Sequence, residues 1–373
     1  MPRPPKSAPN REQGGNPAAN PYVGLPADAY WKTGVAELNP LQIHGLWKPK
    51  FRVDPTGPIV TAGSCFAQHI GRALSARGYP WFDAEPAPGW LSPEEAREFN
   101  YGIFSFRTGN IYTARTLLQW LRLAFGEMAE PEEWWEKDGR IYDPLRPAIE
   151  PGGFEDVAEA RASRRAVLVS IRRAVEEGRL FVFTLGLTES WYNARTGLEY
   201  ALCPGTLAGR FDPELHQFRN HRHGDILSDM EAVLALLRAR NPALQVLLTV
   251  SPVPLTATAG GQHVLSATSY SKSVLRGVAG ELAEDHAFVD YFPSYEIITH
   301  PVFRGMFYAP NQRQVVPEGV EVVMARFFAD QEAAFGPAKL PRPGVDAAAR
   351  AERAEEAAEN VKCEEEMLNA FAR

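Results

Sequence analysis

The run LFVFTL at 180–185 is apolar at every position but its threonine. A strand of that kind must be covered on both faces, which is the situation of a parallel sheet held between two layers of helices. Three further segments have the same character: PIVTAG at 58–63, LQVLLTVSPVPL at 244–255 and AFVDYFPS at 287–294. Amphipathic helical patterns lie between and after them. In CFAQHIGRALSARG, 65–78, the apolar residues Phe66, Ile70 and Leu74 recur every fourth position, and Gly78 is placed to end the helix. Comparable patterns cover 155–178, 224–242, 270–286 and 317–336. Strands alternating with helices of this length predict an α/β fold: a three-layer, doubly wound parallel sheet of the flavodoxin-like kind.

The domain is expected over 40–335, after a Pro-, Asn- and Gly-rich tail at 1–22 and an extended arm at 30–49. Between 80 and 150 the pattern loosens into aromatic-rich loops, including EFNYGIFSFRTGNIYT at 98–113, and one helix at 114–126. This stretch is expected to be an insertion on the substrate side with a small core of its own. The Ala/Glu-rich end, 345–373, reads as a C-terminal helix facing solvent or a partner, with Cys363 a plain exposed thiol.

Composition excludes several functions. Lys and Arg number 39 against 46 Asp and Glu, a net charge of −7, and there is no long basic run, so nucleic acid is not an expected partner. Cys65, Cys203 and Cys363 are far apart and show no CxxC spacing, which argues against a disulfide framework or a zinc site and for a reducing, cytoplasmic setting. No uncharged stretch approaches the ~18 residues of a membrane span. Walker-type glycine loops and HExxH are missing, and no metal or cofactor is expected.

In sheets of this type the working groups sit beyond the carboxyl ends of the strands. The loop GSCFA follows the first strand and places Gly63, Ser64 and Cys65 at a strand-to-helix corner. A helix N-terminus lowers a thiol's pKa and offers N–H groups to an oxyanion, so Cys65 suits a nucleophile. Burial of a small residue at a tight corner explains the same cysteine equally well, and Ser64 is either a helix cap or itself the attacking group. Ser251, in SPVPLTAT, and Arg304 and Arg313 are candidate ligand contacts. Tyr295 and Glu296 face either a ligand or the core.

GSCFA, GNIYT at 109–113, LGLTESW at 185–191, TVSPVPLTAT at 249–258, YSKSVLR at 270–276 and DYFPSYEII at 290–298 occur in this order, and together they resemble the GSCFA family, relatives of the SGNH (GDSL-like) hydrolases. The resemblance implies an SGNH-hydrolase-like fold and an esterase, amidase or acyltransferase working through an acyl-enzyme. It sets Cys65 at the nucleophile position and Ser64 at the position of the preceding Asp. Gly63, Gly109, Asn110, Gly186 and Thr188 would line the oxyanion and substrate side, with Thr188 in place of the oxyanion-holding Asn. Glu189 would be an assisting carboxylate. The pattern departs at its far end, where Asn311 and Gln314 replace the Asp and His that supply the base. A loop histidine is the expected substitute: His221 or His223 first, then His216 or His300. The substrate implied is a small-molecule or glycan acyl compound. The alternative is a catalytically altered relative that binds a glycan or acyl ligand, in the setting of surface-polysaccharide biosynthesis.

Overall fold

The computed structural model describes residues 20–340 and 363–372. The chain divides into two compact units, Met1–His44 and Gly45–Arg373. In the first, the described residues form short turns of helix at Ala27–Ala29, Lys32–Ala36 and Pro40–Gln42, rather than the expected extended arm. Asn39 explains the last of these: its side chain accepts from the Leu41 N–H and Pro40 supplies a helix-ready φ. Most of the N-terminal tail expected at 1–22 lies outside the described residues.

The second unit runs β1 (Ile59–Gly63), α1 (Phe66–Ala76), α2 (Pro93–Glu98), α3 (Ala114–Ala124), β2 (Trp135–Lys137), β3 (Arg140–Tyr142), α4 (Val157–Glu177), β4 (Leu180–Leu185), β5 (Glu189–Asn193), β6 (Glu199–Tyr200), β7 (His216–Asn220), α5 (His223–Arg240), β8 (Gln245–Val250), α6 (Val264–Asp285), β9 (Val289–Tyr291), α7 (Ser294–Thr299) and α8 (Pro317–Phe335). The central sheet is parallel, in the order β1-β4-β8-β9. On the free side of β1, Trp81 makes a parallel bridge to Ile59, so the chain winds away from β1 in both directions. The carboxyl end of β1 is therefore the switch point where α/β sheets hold ligands.

Alternating side chains of the strands feed two cores. Val60, Ala62, Phe181, Phe183, Val246 and Leu248 pack with α3, α4, α5 and α6. Ile59, Leu180, Val182 and Leu247 pack on the other face with α1, α7 and α8. The result is the three-layer α/β architecture expected.

Two expectations are corrected here. The 80–150 segment is only in part a core of its own: Leu117, Trp120 and Leu121 of α3 are buried in the same cluster as Phe183 of the central sheet, while Trp134, Ile141 and Ile149 pack with Phe154 and Ala160 in a small separate cluster. The second half of that segment is anchored by charge, since Asp143 binds Arg146 and Arg164 with all three side chains buried. The second correction concerns GLTESW, 186–191, which follows the 180–185 strand in sequence and is expected as a strand-end loop. Glu189 opens β5, the middle strand of an antiparallel sheet ordered β6-β5-β7. His216, expected in a loop, opens β7 of that sheet.

Gly63 makes the β1 corner possible. Its φ is +129°, and a Cβ there would stand 2.4 Å from the Thr184 carbonyl oxygen on β4. Only glycine tolerates both the torsion and the approach.

Candidate functional site

Cys65 is the N-cap residue of α1 and is 4% exposed; among the described residues no side chain caps this end of the helix. It lines a cavity of about 280 Å³ with His69, Arg313, Gln314 and Cys363. Ser64 donates its N–H to the Thr184 carbonyl at 3.0 Å, while its hydroxyl is buried with no hydrogen-bond partner among the described residues. Of the two, Cys65 is the one that meets the cavity.

The C-terminal segment fills this site. Residues Glu364–Phe371 form turns of 3-10 helix rather than the solvated helix expected; most of the 345–373 stretch, 345–362, lies outside the described residues. The Cys65 thiol donates a hydrogen bond to Cys363, which, with burial, raises its pKa well above the ordinary thiol value. Cys363 is lowered to about 6 by accepting that bond and by the Arg313 guanidinium, whose Nη2 lies 3.4 Å from its sulfur. Cys363 is therefore not the plain surface thiol that its sequence context suggested. Arg313 also pairs with Glu366 at 3.0 Å and Glu365 at 3.5 Å. Glu365 is pushed up to about 8, chiefly by burial.

Asn110 binds the same segment. The Oε2 of Glu364 accepts from the Asn110 backbone N–H at 3.4 Å and from Nδ2 at 3.2 Å. Gly109 allows this approach, because a Cβ there would fall 2.5 Å from Glu364 Oε1. The Ile111 N–H holds the loop to β1 through the Gly63 carbonyl at 2.9 Å. The pair of donors on Asn110 thus already carries an anion.

Thr188 requires a correction. Its hydroxyl donates to Asn220 Oδ1 at 2.7 Å and its N–H to Ser271 Oγ at 3.1 Å, so both donors are committed away from Cys65. Gly186 donates to the Tyr112 carbonyl and accepts from Lys272 Nζ at 2.7 Å. Lys272, on α6, is fully buried; burial lowers its pKa to about 8, while Glu365 and Cys65 pull the other way. The sequence signal for it was only its presence in YSKSVLR, where it reads as the polar face of a helix.

The histidines named from the sequence lie elsewhere. His221 is buried in β-sheet surroundings with Nε2 at 2.8 Å from Glu199 Oε1 and 3.1 Å from Ser190 Oγ. His223 pairs with Glu281 at 3.5 Å on the surface. His216 and His300 accept from the nearby N–H groups of Asp212 and Val302. None of the four lines the Cys65 cavity. The imidazole that does is His69, one helical turn beyond Cys65, and burial lowers it to about 3, so it is neutral. Asn311 Nδ2 donates to Gln314 Oε1 at 3.1 Å, so the two amides engage each other.

A second cavity, about 490 Å³ and largely apolar, adjoins the segment from the other side. Tyr112, Leu187, Trp191, Leu255, Leu368 and Phe371 are among its walls. Glu189 stands at this cavity, half-buried, with Oε1 accepting from Thr258 at 2.6 Å; burial raises its pKa. Ser251 accepts from the Val253 N–H at 3.3 Å and shapes its loop. Glu296 is occupied by Arg276 and by the Tyr291 hydroxyl, and Arg304 takes the left-handed turn after Phe303. Among the described residues no group of His, Cys, Asp and Glu is arranged to hold a metal ion, and no helix is long and apolar enough to cross a membrane.

No curated protein matches the chain. Among solved structures, a protein of Parabacteroides merdae assigned as a GDSL-like lipase aligns with 76% of this chain and 99% of its own, at 12% identity and a TM-score of 0.34. The model of the GSCFA family matches residues 58–327, well over half of the sequence and every element from β1 to the middle of α8. With GSCFA itself at the switch-point corner, the chain belongs to the GSCFA family.

Proposed function

We propose that the protein is an SGNH-type hydrolase or acyltransferase that forms an acyl-enzyme on Cys65. The observation that carries this reading is the pairing, through adjacent residues of one bound segment, of a cysteine at a helix N-terminus with two N–H donors that hold a carboxylate: Cys363 touches Cys65 while Glu364 occupies Asn110. A carboxylate oxygen and a tetrahedral oxyanion ask for the same donors.

In this reading Lys272 replaces the missing imidazole, as lysine does in Ser-Lys variants of the triad. Its amine, lowered to about 8, is partly neutral near pH 7 to 8 and accepts the Cys65 proton. The Cys65 sulfur attacks the carbonyl carbon, and the oxyanion takes the Asn110 N–H and Nδ2–H bonds. The leaving alcohol, thiol or amine departs with a proton from Lys272. Water or a second acceptor then attacks the thioester and releases Cys65. The apolar 490 Å³ cavity suits an acyl chain rather than a bare sugar.

The experiment is an acyl trap. Full-length protein is mixed with p-nitrophenyl butyrate and quenched, and the adduct is located by mass spectrometry. A butyryl adduct on Cys65, lost in Cys65→Ala and kept in Ser64→Ala, supports the reading; an adduct on Ser64, or turnover unchanged in Cys65→Ala, rejects it. The second reading, a relative that only binds an acyl or glycan ligand, is favoured by the amide pair at Asn311 and Gln314 where a base would stand.

A further inference from the structure

The two cysteines that meet in the cavity come from opposite ends of the domain. Cys65 is fixed by β1 and α1, and Cys363 is delivered by the C-terminal segment. That segment is tied down independently of the sulfurs: Arg313 binds Glu365 and Glu366, Asn110 binds Glu364, and Leu368 and Phe371 enter the apolar cavity. The two thiols are thus held in one cavity of about 280 Å³ by surrounding packing, and Arg313 stands beside the Cys363 sulfur. Cys203, the third cysteine, stands on the wall of the apolar cavity and does not line the cavity that Cys65 and Cys363 share; its thiol donates to the Pro204 carbonyl at 3.6 Å.

We propose that Cys65 and Cys363 are a redox pair, closing a reversible disulfide under peroxide that withdraws the Cys65 sulfur and locks the segment in the site. As an off-switch it rests on the acyl-transfer reading; as a modification site it does not. The balance is complete with hydrogen peroxide as oxidant. The Cys363 thiolate attacks one peroxide oxygen, giving a sulfenic acid and hydroxide, which takes up a proton to become water. Cys65 then attacks the Cys363 sulfur and loses its proton, and the sulfenic oxygen leaves as a second water. A dithiol reductant reverses the reaction by thiol-disulfide exchange. Arg313 has a defined part in the first step, holding Cys363 as the thiolate that peroxide requires.

The full chain is treated with about one equivalent of hydrogen peroxide, quenched with iodoacetamide, and digested without reductant. A peptide pair linked through Cys65 and Cys363, lighter by two hydrogens than the sum of its parts and released by dithiothreitol, is expected in the wild type and in Cys203→Ser. Butyrate ester turnover should fall at least tenfold on oxidation and return on reduction. Oxidised wild type with both cysteines alkylated, or with Cys65 carried to sulfinic acid unlinked, overturns the proposal. If Cys363→Ser is inactivated by peroxide and rescued by dithiothreitol as the wild type is, the proposal also fails. A linked peptide in a protein that turns over no ester in either state keeps the disulfide and removes the acyl-transfer reading instead.

Discussion

Glu364 places its Oε2 3.4 Å from the Asn110 backbone N and 3.2 Å from its Nδ2, so a carboxylate of the chain's own C-terminal segment, adjacent to Cys363, occupies both Asn110 donors. The loop that carries Asn110 is pinned to β1 through Gly63, the residue that also turns the chain toward Cys65. Donor and thiol therefore share one rigid support, which is the condition for electrostatic stabilisation without reorganisation.

Asn110→Ala keeps the backbone donor and removes Nδ2. Loss of one oxyanion donor costs about 10²- to 10³-fold in kcat. We expect a fall of that size in the acylation rate with p-nitrophenyl butyrate, with KM nearly unchanged. A rise in KM at constant kcat would make Asn110 a ground-state contact instead.

Lys272 sets a pH limb. As a base it works neutral, so turnover should be low below its pKa, rise through about pH 8 and level off above it. Lys272→Met should lose about 10²- to 10⁴-fold and flatten that limb. Stopped-flow acylation from pH 6 to 10 checks it, and an unchanged limb in the variant would take Lys272 out of proton transfer.

The central sheet and its helices are readable from the sequence because each strand is apolar on both faces and each helix has its own apolar stripe. β4 covers the predicted 180–185 run, and α8 nearly matches 317–336. The β6-β5-β7 sheet is less legible, since Glu189, Arg219 and Asn220 interrupt its alternation and read as loop. The site is legible only at the residues next to the motif. Cys65 and Asn110 carry local signals, a strand-to-helix corner and a glycine turn. Lys272 and His69 look like polar helix faces, and nothing nearby in the sequence says that they are buried. Cys363 is furthest from reach: its neighbours are charged, and its contact with Cys65 spans almost the whole domain.

Asp143 holds the second half of the 80–150 segment to α4 through Arg164. It accepts from Arg164 at 2.6 and 3.1 Å and from Arg146 at 3.2 Å. Burial acts to raise its pKa, but the two guanidinium groups outweigh it and hold the carboxyl below the ordinary 3.8. Its contribution is present above that value and is lost as pH falls through the lower, folded pKa. Asp143→Asn strands two buried cations and should destabilise the fold by about 3–5 kcal/mol. Urea unfolding at pH 7 measures this, and a change below about 1 kcal/mol would show that the arginines find other partners.

Glu365 makes docking of the C-terminal segment depend on pH. Burial first, then Cys363, raise its carboxyl to about 8 from the ordinary 4.5, against the opposing pull of Arg313 and Lys272. The docked segment therefore keeps a proton that the free segment gives up near pH 4.5. Docking is strongest below that value and weakens with rising pH, by up to about tenfold per unit, to about pH 6, above which Cys363, lowered to about 6 in the docked state, gives up a proton that the free segment keeps and offsets the loss. The methyl resonance of Met367 in labelled protein reports the docked and free populations. We expect its free fraction to grow between pH 4.5 and 6 in the wild type and to lose most of that dependence in Glu365→Gln, whose amide keeps its shape and cannot ionise. A wild-type signal unchanged over this range would mean that Arg313 and Lys272 neutralise Glu365 in the docked state.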